Sequence, residues 1–132
     1  MAFKDNREFI KALDKTKDVV HIQQEVDWDM EVGAIVRRTC ELRGPAVLFE
    51  NIKDYEGQRI LGAPLATYRR LAIAMGLSPE IPIRDLHEEY AKRSQTPIKP
   101  VIVKDGPCKE NIVLGNDVDL YNLPAPVVLD ET

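Results

Sequence analysis

The sequence predicts a mixed α/β (α+β) fold, a small mixed sheet flanked by about four helices and ending in an extended linker. Three observations carry that expectation. Short β-branched runs alternate with segments whose apolar residues recur at helical spacing. Helix start and stop signals bracket those segments. None of the nine prolines precedes Pro45, whereas five fall between Pro97 and Pro126. Proline fixes φ and removes a backbone donor, so the last third is expected to be strands and extended chain rather than helix.

Asp5 and Glu8 form a capping pair for a first helix running to about Lys15, with Phe9, Ile10 and Leu13 as its apolar stripe. The run from Val19 to Ile22 is a short strand by its β-branched content. Asp29 is the expected cap of a second helix through about Arg43, facing inward with Val32, Ile35, Val36 and Leu42. Gly44 and Pro45 supply its stop. Ala46 to Ile52 is a compact apolar run, expected as a buried strand, and Arg59 to Leu65 as another. Thr67 caps a third helix, Tyr68 to Met75, which Gly76 ends. Ser78 and Pro79 start a fourth, Ile83 to Ser94, with Ile83, Leu86 and Tyr90 as its contact stripe. Ile98 to Val103 and Asn111 to Leu114 are expected as two more strands. The boundaries are then a domain over 1–115 and a linker over 116–132.

Composition narrows the function classes. The chain has 132 residues, 44% hydrophobic and 30% charged, enough for one core and too apolar for wholesale disorder. Its net charge of −4, with basic residues scattered among acidic ones, offers no nucleic-acid footprint. No run approaches the roughly 20 apolar residues of a membrane span. The two cysteines lie far apart, so a reducing, cytoplasmic setting is expected rather than a disulfide scaffold.

Residues able to do chemistry are few. No phosphate-cradling glycine loop, HExxH or Cys/His ligand spacing occurs. His21 reads as a partly buried strand residue rather than a base, and His87, beside Glu88 and Glu89, as part of a solvated helix face. Cys40 reads as an inert core thiol, Cys108 as a more exposed turn residue without an activating base. Arg37-Arg38 and Arg69-Arg70 have the chemistry to clamp a carboxylate. Surface arginines on amphipathic helices is the reading preferred here. Trp28 and Tyr68 are expected to pack at helix starts. Asp117 and Asp119 lack the glycine and terminal glutamate of a calcium loop and suggest a docking strand instead. No catalytic, cofactor-binding or metal residue is therefore assigned.

Several phrases, in order, resemble the N-terminal domain of UbiD-type decarboxylases. They are Arg7-Glu8-Phe9-Ile10-Lys11-Ala12-Leu13, Val19-Val20-His21-Ile22, Glu25-Val26-Asp27 and Ala34-Ile35-Val36-Arg37-Arg38. Gly44-Pro45-Ala46-Val47-Leu48-Phe49-Glu50-Asn51-Ile52 is the most recognisable, followed by Tyr55-Glu56-Gly57 and Ile60-Leu61-Gly62. Tyr68 through Leu77 (YRRLAIAMGL) and Asp117-Val118-Asp119-Leu120 with Leu123-Pro124 complete the series. The Ala2-Phe3 start and the Gly106-Pro107-Cys108 turn look like the phenolic-acid branch (vanillate, hydroxybenzoate, protocatechuate). Trp28 departs from the family, which has proline after Val26-Asp27.

The resemblance implies a carboxy-lyase that reversibly decarboxylates an aromatic or α,β-unsaturated carboxylic acid. It further implies prenylated FMN, a divalent metal (Mn or Mg) and K, all held in a flavin-binding domain that this chain lacks. The chain alone is then expected to retain no cofactor and to be catalytically silent. Its expected partners are that domain or an equivalent chain, an aromatic acid substrate and further copies in a homo-oligomer, with no nucleic acid or membrane. The alternative is a non-catalytic subunit completing a separate flavoprotein, with Leu123, Val127 and Leu129 adding to a partner's sheet edge.

Overall fold

The computed structural model describes residues 3–128. The elements run α1 (Asn6–Thr16), β1 (Val19–Ile22), α2 (Glu31–Glu41), β2 (Ala46–Phe49), β3 (Ile60–Gly62), α3 (Tyr68–Ala74) and α4 (Ile83–Ser94). The strands form one mixed sheet in the order β1-β2-β3, parallel between β1 and β2 and antiparallel between β2 and β3. The mixed α/β expectation and its four helices are met. Parallel pairing of consecutive strands requires a crossover, and α2 supplies it.

The central strand explains the layering. All four residues of β2 are buried, as its unbroken apolar run requires, and successive side chains point to opposite faces. Ala46 and Leu48 join Leu13, Val19 and Ile73 on the face covered by α1 and α3. Val47 and Phe49 join Val26, Val32 and Ile52 on the face covered by α2. The result is a three-layer arrangement with one small core on each side of the sheet.

Local signals account for the helix ends, with two corrections. Asp5 accepts from the Glu8 N–H at 2.8 Å, and Thr67 accepts from the Arg70 N–H at 3.3 Å, so both caps stand as expected. Gly76 closes α3 with φ of 69°. Asp29 does not cap α2. Its backbone is drawn into a bridge with Val127, and Met30, at φ 66°, occupies the cap position. Asp27 organises that entry instead: its N–H donates to Glu31 Oε2 at 2.8 Å and its Oδ1 accepts from the Asp29 N–H at 3.0 Å. At the other end Arg43, not Gly44, takes the left-handed conformation, with φ 51°. Gly44 donates back to the Thr39 carbonyl at 2.8 Å. Its glycine is needed for closeness, because a Cβ there would lie 2.7 Å from Thr39 Oγ1.

Other expectations need shortening or correction. The strand expected over Ala46–Ile52 ends at Phe49, with Ile52 left as an isolated bridge to Val26. The one expected over Arg59–Leu65 contracts to Ile60–Gly62. Leu42 is exposed rather than inward. On α4 only Leu86 of the expected stripe is buried, while Ile83 and Tyr90 face outward. Neither Ile98–Val103 nor Asn111–Leu114 forms a strand. That region holds three 3-10 turns, at Pro107–Lys109, Gly115–Asp117 and Leu120–Asn122. A strand exists only where a neighbour completes its ladder, and nothing in the described chain lies beside these runs to do so.

The chain then returns to the body. The Val127 N–H donates to the Trp28 carbonyl at 3.1 Å, and the Met30 N–H donates to the Val127 carbonyl at 3.0 Å. Gly33 makes room, since a Cβ on it would lie 2.9 Å from Val128 Cγ1. Gly62 plays the same part against Val36 across the α2 face of the sheet. Gly62→Ala is therefore expected to cost about 1–3 kcal/mol by overpacking. Adding Val36→Ala should recover part of that loss. A double-mutant cycle by urea unfolding that gives a coupling below about 0.5 kcal/mol would remove this close approach from the account.

Candidate functional site

Two charged constellations dominate the described surface and core. The first is held by the sheet's outer strand. His21 on β1 places Nδ1 3.0 Å from Glu50 Oε1 and Nε2 2.8 Å from Asp14 Oδ1, so both ring nitrogens face carboxylates. Only the imidazolium donates from both nitrogens, and the Glu50 hydrogen bond, then the Asp14 one, raise the His21 pKa above 6.5. The partly buried strand residue expected here is exposed and ionic. The group staples the end of α1 to β1 and to the residue just after β2.

The second constellation lies beneath α3. Arg69 directs Nε to both Asp18 carboxylate oxygens at 3.0 Å, and its Nη1 also meets Glu80. Arg70 is 2% exposed and donates Nη1 to the Gly44 carbonyl at 2.8 Å. Burial lowers its pKa, with the Asp18 charge working in the opposite direction. Its Nε finds no partner among the described residues. The surface-arginine expectation thus fails for Arg70, holds only in part for the half-buried Arg69, and holds for Arg37 and Arg38, which are exposed and bonded to Glu41. Periodicity did not separate the two pairs. A signal was available in hindsight: Arg69 and Arg70 sit inside an apolar helix whose neighbours Ala72 and Ile73 are buried.

The remaining candidates are dispersed. His87 is exposed, its ring 6.1 Å from that of Tyr68, which is itself exposed. Trp28 packs as expected, edge-on to Tyr55 at 6.2 Å and against the α2-side core. Cys40 is exposed, contrary to the core-thiol expectation. The inward stripe of α2 passes through Val32 and Val36 to Thr39, whose Oγ1 donates to the Pro45 carbonyl at 2.7 Å, so Cys40 is turned away. Cys108 is exposed in its turn. Asp117 and Asp119 belong to 3-10 turns rather than a docking strand, with Asp119 accepting from the Tyr121 N–H at 2.9 Å. Leu129 and Ala2 lie outside the described residues.

These groups do not fit a flavin phosphate or its metal. Among the described residues no three His, Cys, Asp or Glu side chains converge to hold an ion. The half-buried Arg69 is already committed to Asp18 and the buried Arg70 to a carbonyl. An apolar recess of about 560 Å³ lies between α2 and β3 and is lined by Val32, Val36, Leu61 and Val128 among others. It lacks the convergent polar groups that orient a substrate. What the arrangement does chemically is to hold its own junctions. No helix among the described residues is long and apolar enough to cross a membrane.

Two stability outcomes follow from these charges. A histidine whose folded pKa is raised contributes fully below its unfolded value and loses that contribution as pH rises through the folded value. Urea midpoints are therefore expected to fall on going from about pH 6 to about pH 9, a fall that His21→Asn should flatten; equal slopes would remove the staple. Asp18→Ala is expected to cost about 1–3 kcal/mol in urea unfolding, discounted because Arg69 is partly exposed but enlarged by the uncompensated Arg70. A cost indistinguishable from zero would contradict the role given to Asp18.

Comparison with known proteins places the chain. The 3-octaprenyl-4-hydroxybenzoate carboxy-lyase N-terminal domain matches residues 10–90. Pyrrole-2-carboxylic acid decarboxylase of Pseudomonas aeruginosa is 39% identical over 96% of this chain, which corresponds to 27% of that protein. The open form of Sedimentibacter hydroxybenzoicus vanillic acid decarboxylase superposes with a TM-score of 0.88 at 28% identity, over 99% of this chain and 29% of that one. A UbiD-class enzyme from Pelotomaculum thermopropionicum, solved in complex with prFMN, shares the fold at 24% identity, TM-score 0.76, over 92% of this chain and 27% of that one. The chain thus spans little more than a quarter of the proteins it matches. With the family phrases, the three-layer fold and these matches in agreement, the chain belongs to the UbiD N-terminal domain family.

Proposed function

We propose that this chain is the N-terminal, cleft-forming part of a UbiD-like carboxy-lyase that reversibly decarboxylates an aromatic or α,β-unsaturated carboxylic acid. One observation carries this reading: the chain matches an N-terminal domain family and little more than a quarter of decarboxylases, while Arg69 and Arg70 are tied to internal junctions. The catalytic, flavin-binding and metal residues then lie outside these 132 residues, and none is assigned within them. Prenylated FMN, with a divalent metal and K, would supply the carbanion chemistry in that other part. This chain would orient one wall of the cleft and exclude water from it.

The substrate favoured is a phenolic or heteroaromatic acid, in keeping with the vanillic and pyrrole-2-carboxylic acid decarboxylases it resembles. The same reading divides the chain into a domain over 1–115 and a connector over 116–132, and places the enzyme in the cytoplasm as a homo-oligomer. The alternative, a separate subunit whose tail adds to a partner's sheet, is weakened because Val127 already pairs with Trp28 and Met30 of its own chain.

The test is CO2 release by a polypeptide that contains this chain together with the flavin-binding part, supplied with prenylated flavin. Turnover of at least one phenolic, pyrrole- or cinnamic-type acid is expected, alongside no turnover by residues 1–132 alone. An inactive longer protein across that panel, with flavin bound, would refute the assignment.

A further inference from the structure

Between Gln95, which ends α4, and Val127, which pairs with Trp28 and Met30, the chain makes a projecting arm fixed to the body at both ends. Its composition contradicts its setting. Ile98, Val101, Ile102 and Leu114 are 96%, 83%, 99% and 74% exposed, and Val103, Ile112 and Val113 are each more than half exposed. Contiguous apolar exposure of this kind marks a surface made to be covered. The turn between the two runs is nevertheless formed. The Gly106 N–H donates to Asp105 Oδ1, the Lys109 N–H to the Gly106 carbonyl and Lys109 Nζ to the Lys104 carbonyl, all at 2.9 Å. Among the described residues no backbone hydrogen bond joins 98–103 to 111–114, so both runs keep their backbone groups free.

The sequence of these runs is strand sequence: β-branched, short and bounded by proline, glycine and turn residues. Pro100 has no N–H to give, so the run able to donate along its whole length begins at Val101. Three facts therefore meet here: strand-forming runs, free backbone edges and bare apolar side chains. A fourth says what covers them. The superposition on vanillic acid decarboxylase takes in 99% of this chain, arm included, and only 29% of that protein. The arm's course is thus shared with a protein in which most of the polypeptide lies elsewhere, although little in this chain holds it there.

We propose that residues 101–104 and 111–114 become β-strands by pairing with a sheet edge supplied by the remaining part of the same polypeptide. This rests on the function proposed above, and it makes the arm the seam between the N-terminal domain and the flavin-binding part. Val101 and Val103 would face one side of the new sheet and Ile102 the other, as strand alternation requires. Main-chain pairing supplies the affinity of such strand addition, and the alternate side chains its register.

Hydrogen exchange read by mass spectrometry tests this on the 132-residue chain and on the longer polypeptide with its flavin-binding part. Amides of residues 101–104 and 111–114 are expected to exchange at least about a hundredfold more slowly in the longer polypeptide, independently of protein concentration. Ile102→Lys in the longer polypeptide should return them toward fast exchange, while Glu88→Gln on α4 should not. Equally fast exchange in both proteins would overturn the proposal. So would protection in the 132-residue chain that grows with its concentration, which would assign the arm to a second copy. The two readings separate cleanly: protection without CO2 release counts against the decarboxylase function alone, and CO2 release without protection counts against the seam alone.

Discussion

Two neighbouring arginines on one short helix hold both of the places where a helix hands over to a strand. Arg69 reaches Asp18, whose N–H closes α1 on the Leu13 carbonyl and whose carbonyl receives the Ala46 N–H at the start of the parallel ladder. Arg70 reaches the carbonyl of Gly44, the residue that closes α2 on Thr39. Remove the pair, and α1, α2 and α3 lose their common reference point beneath the sheet. A buried guanidinium is costly unless its donors are met, which is why Arg70 is packed against a carbonyl that has no other helix partner left to serve.

That constraint sets the spacing of the two cores. With both junctions held at the same end of the sheet, β2 starts beside β1 and must be apolar on both faces, since α1 and α3 cover one and α2 the other. The close contacts of Gly33 with Val128 and of Gly62 with Val36 then bring the returning chain and β3 against α2. Asp18, Arg69 and Arg70 are committed to this scaffolding. A domain built this way presents walls and surfaces, in keeping with its membership of an N-terminal domain family.

The arm beyond α4 is the opposite case. Its side chains have the character of a core and the exposure of a surface. Local chemistry forms its turns, whereas its extended runs await a neighbour. Such a segment costs conformational entropy that its own contacts do not offset, which is why a sheet edge outside it is proposed as the source of its order.

The sequence by itself determined the pieces whose cause is local. The Asp5 and Thr67 caps, the glycine stop at Gly76, the span of α4 and the apolar β2 run all follow from residues within a few positions of one another. The family phrases were legible in the same way. What tertiary structure decided depends on residues far apart in the chain. Asp29 gave up its cap to Val127, Arg70 left the surface for Gly44, and Arg69 was drawn onto Asp18. His21 gained two carboxylates from separate elements, and the strand-like runs after Pro97 stayed unpaired. Caps and turns are short-range hydrogen bonds that a few residues can close, whereas a ladder, a buried ion pair or a seam needs a partner whose position only the folded chain establishes.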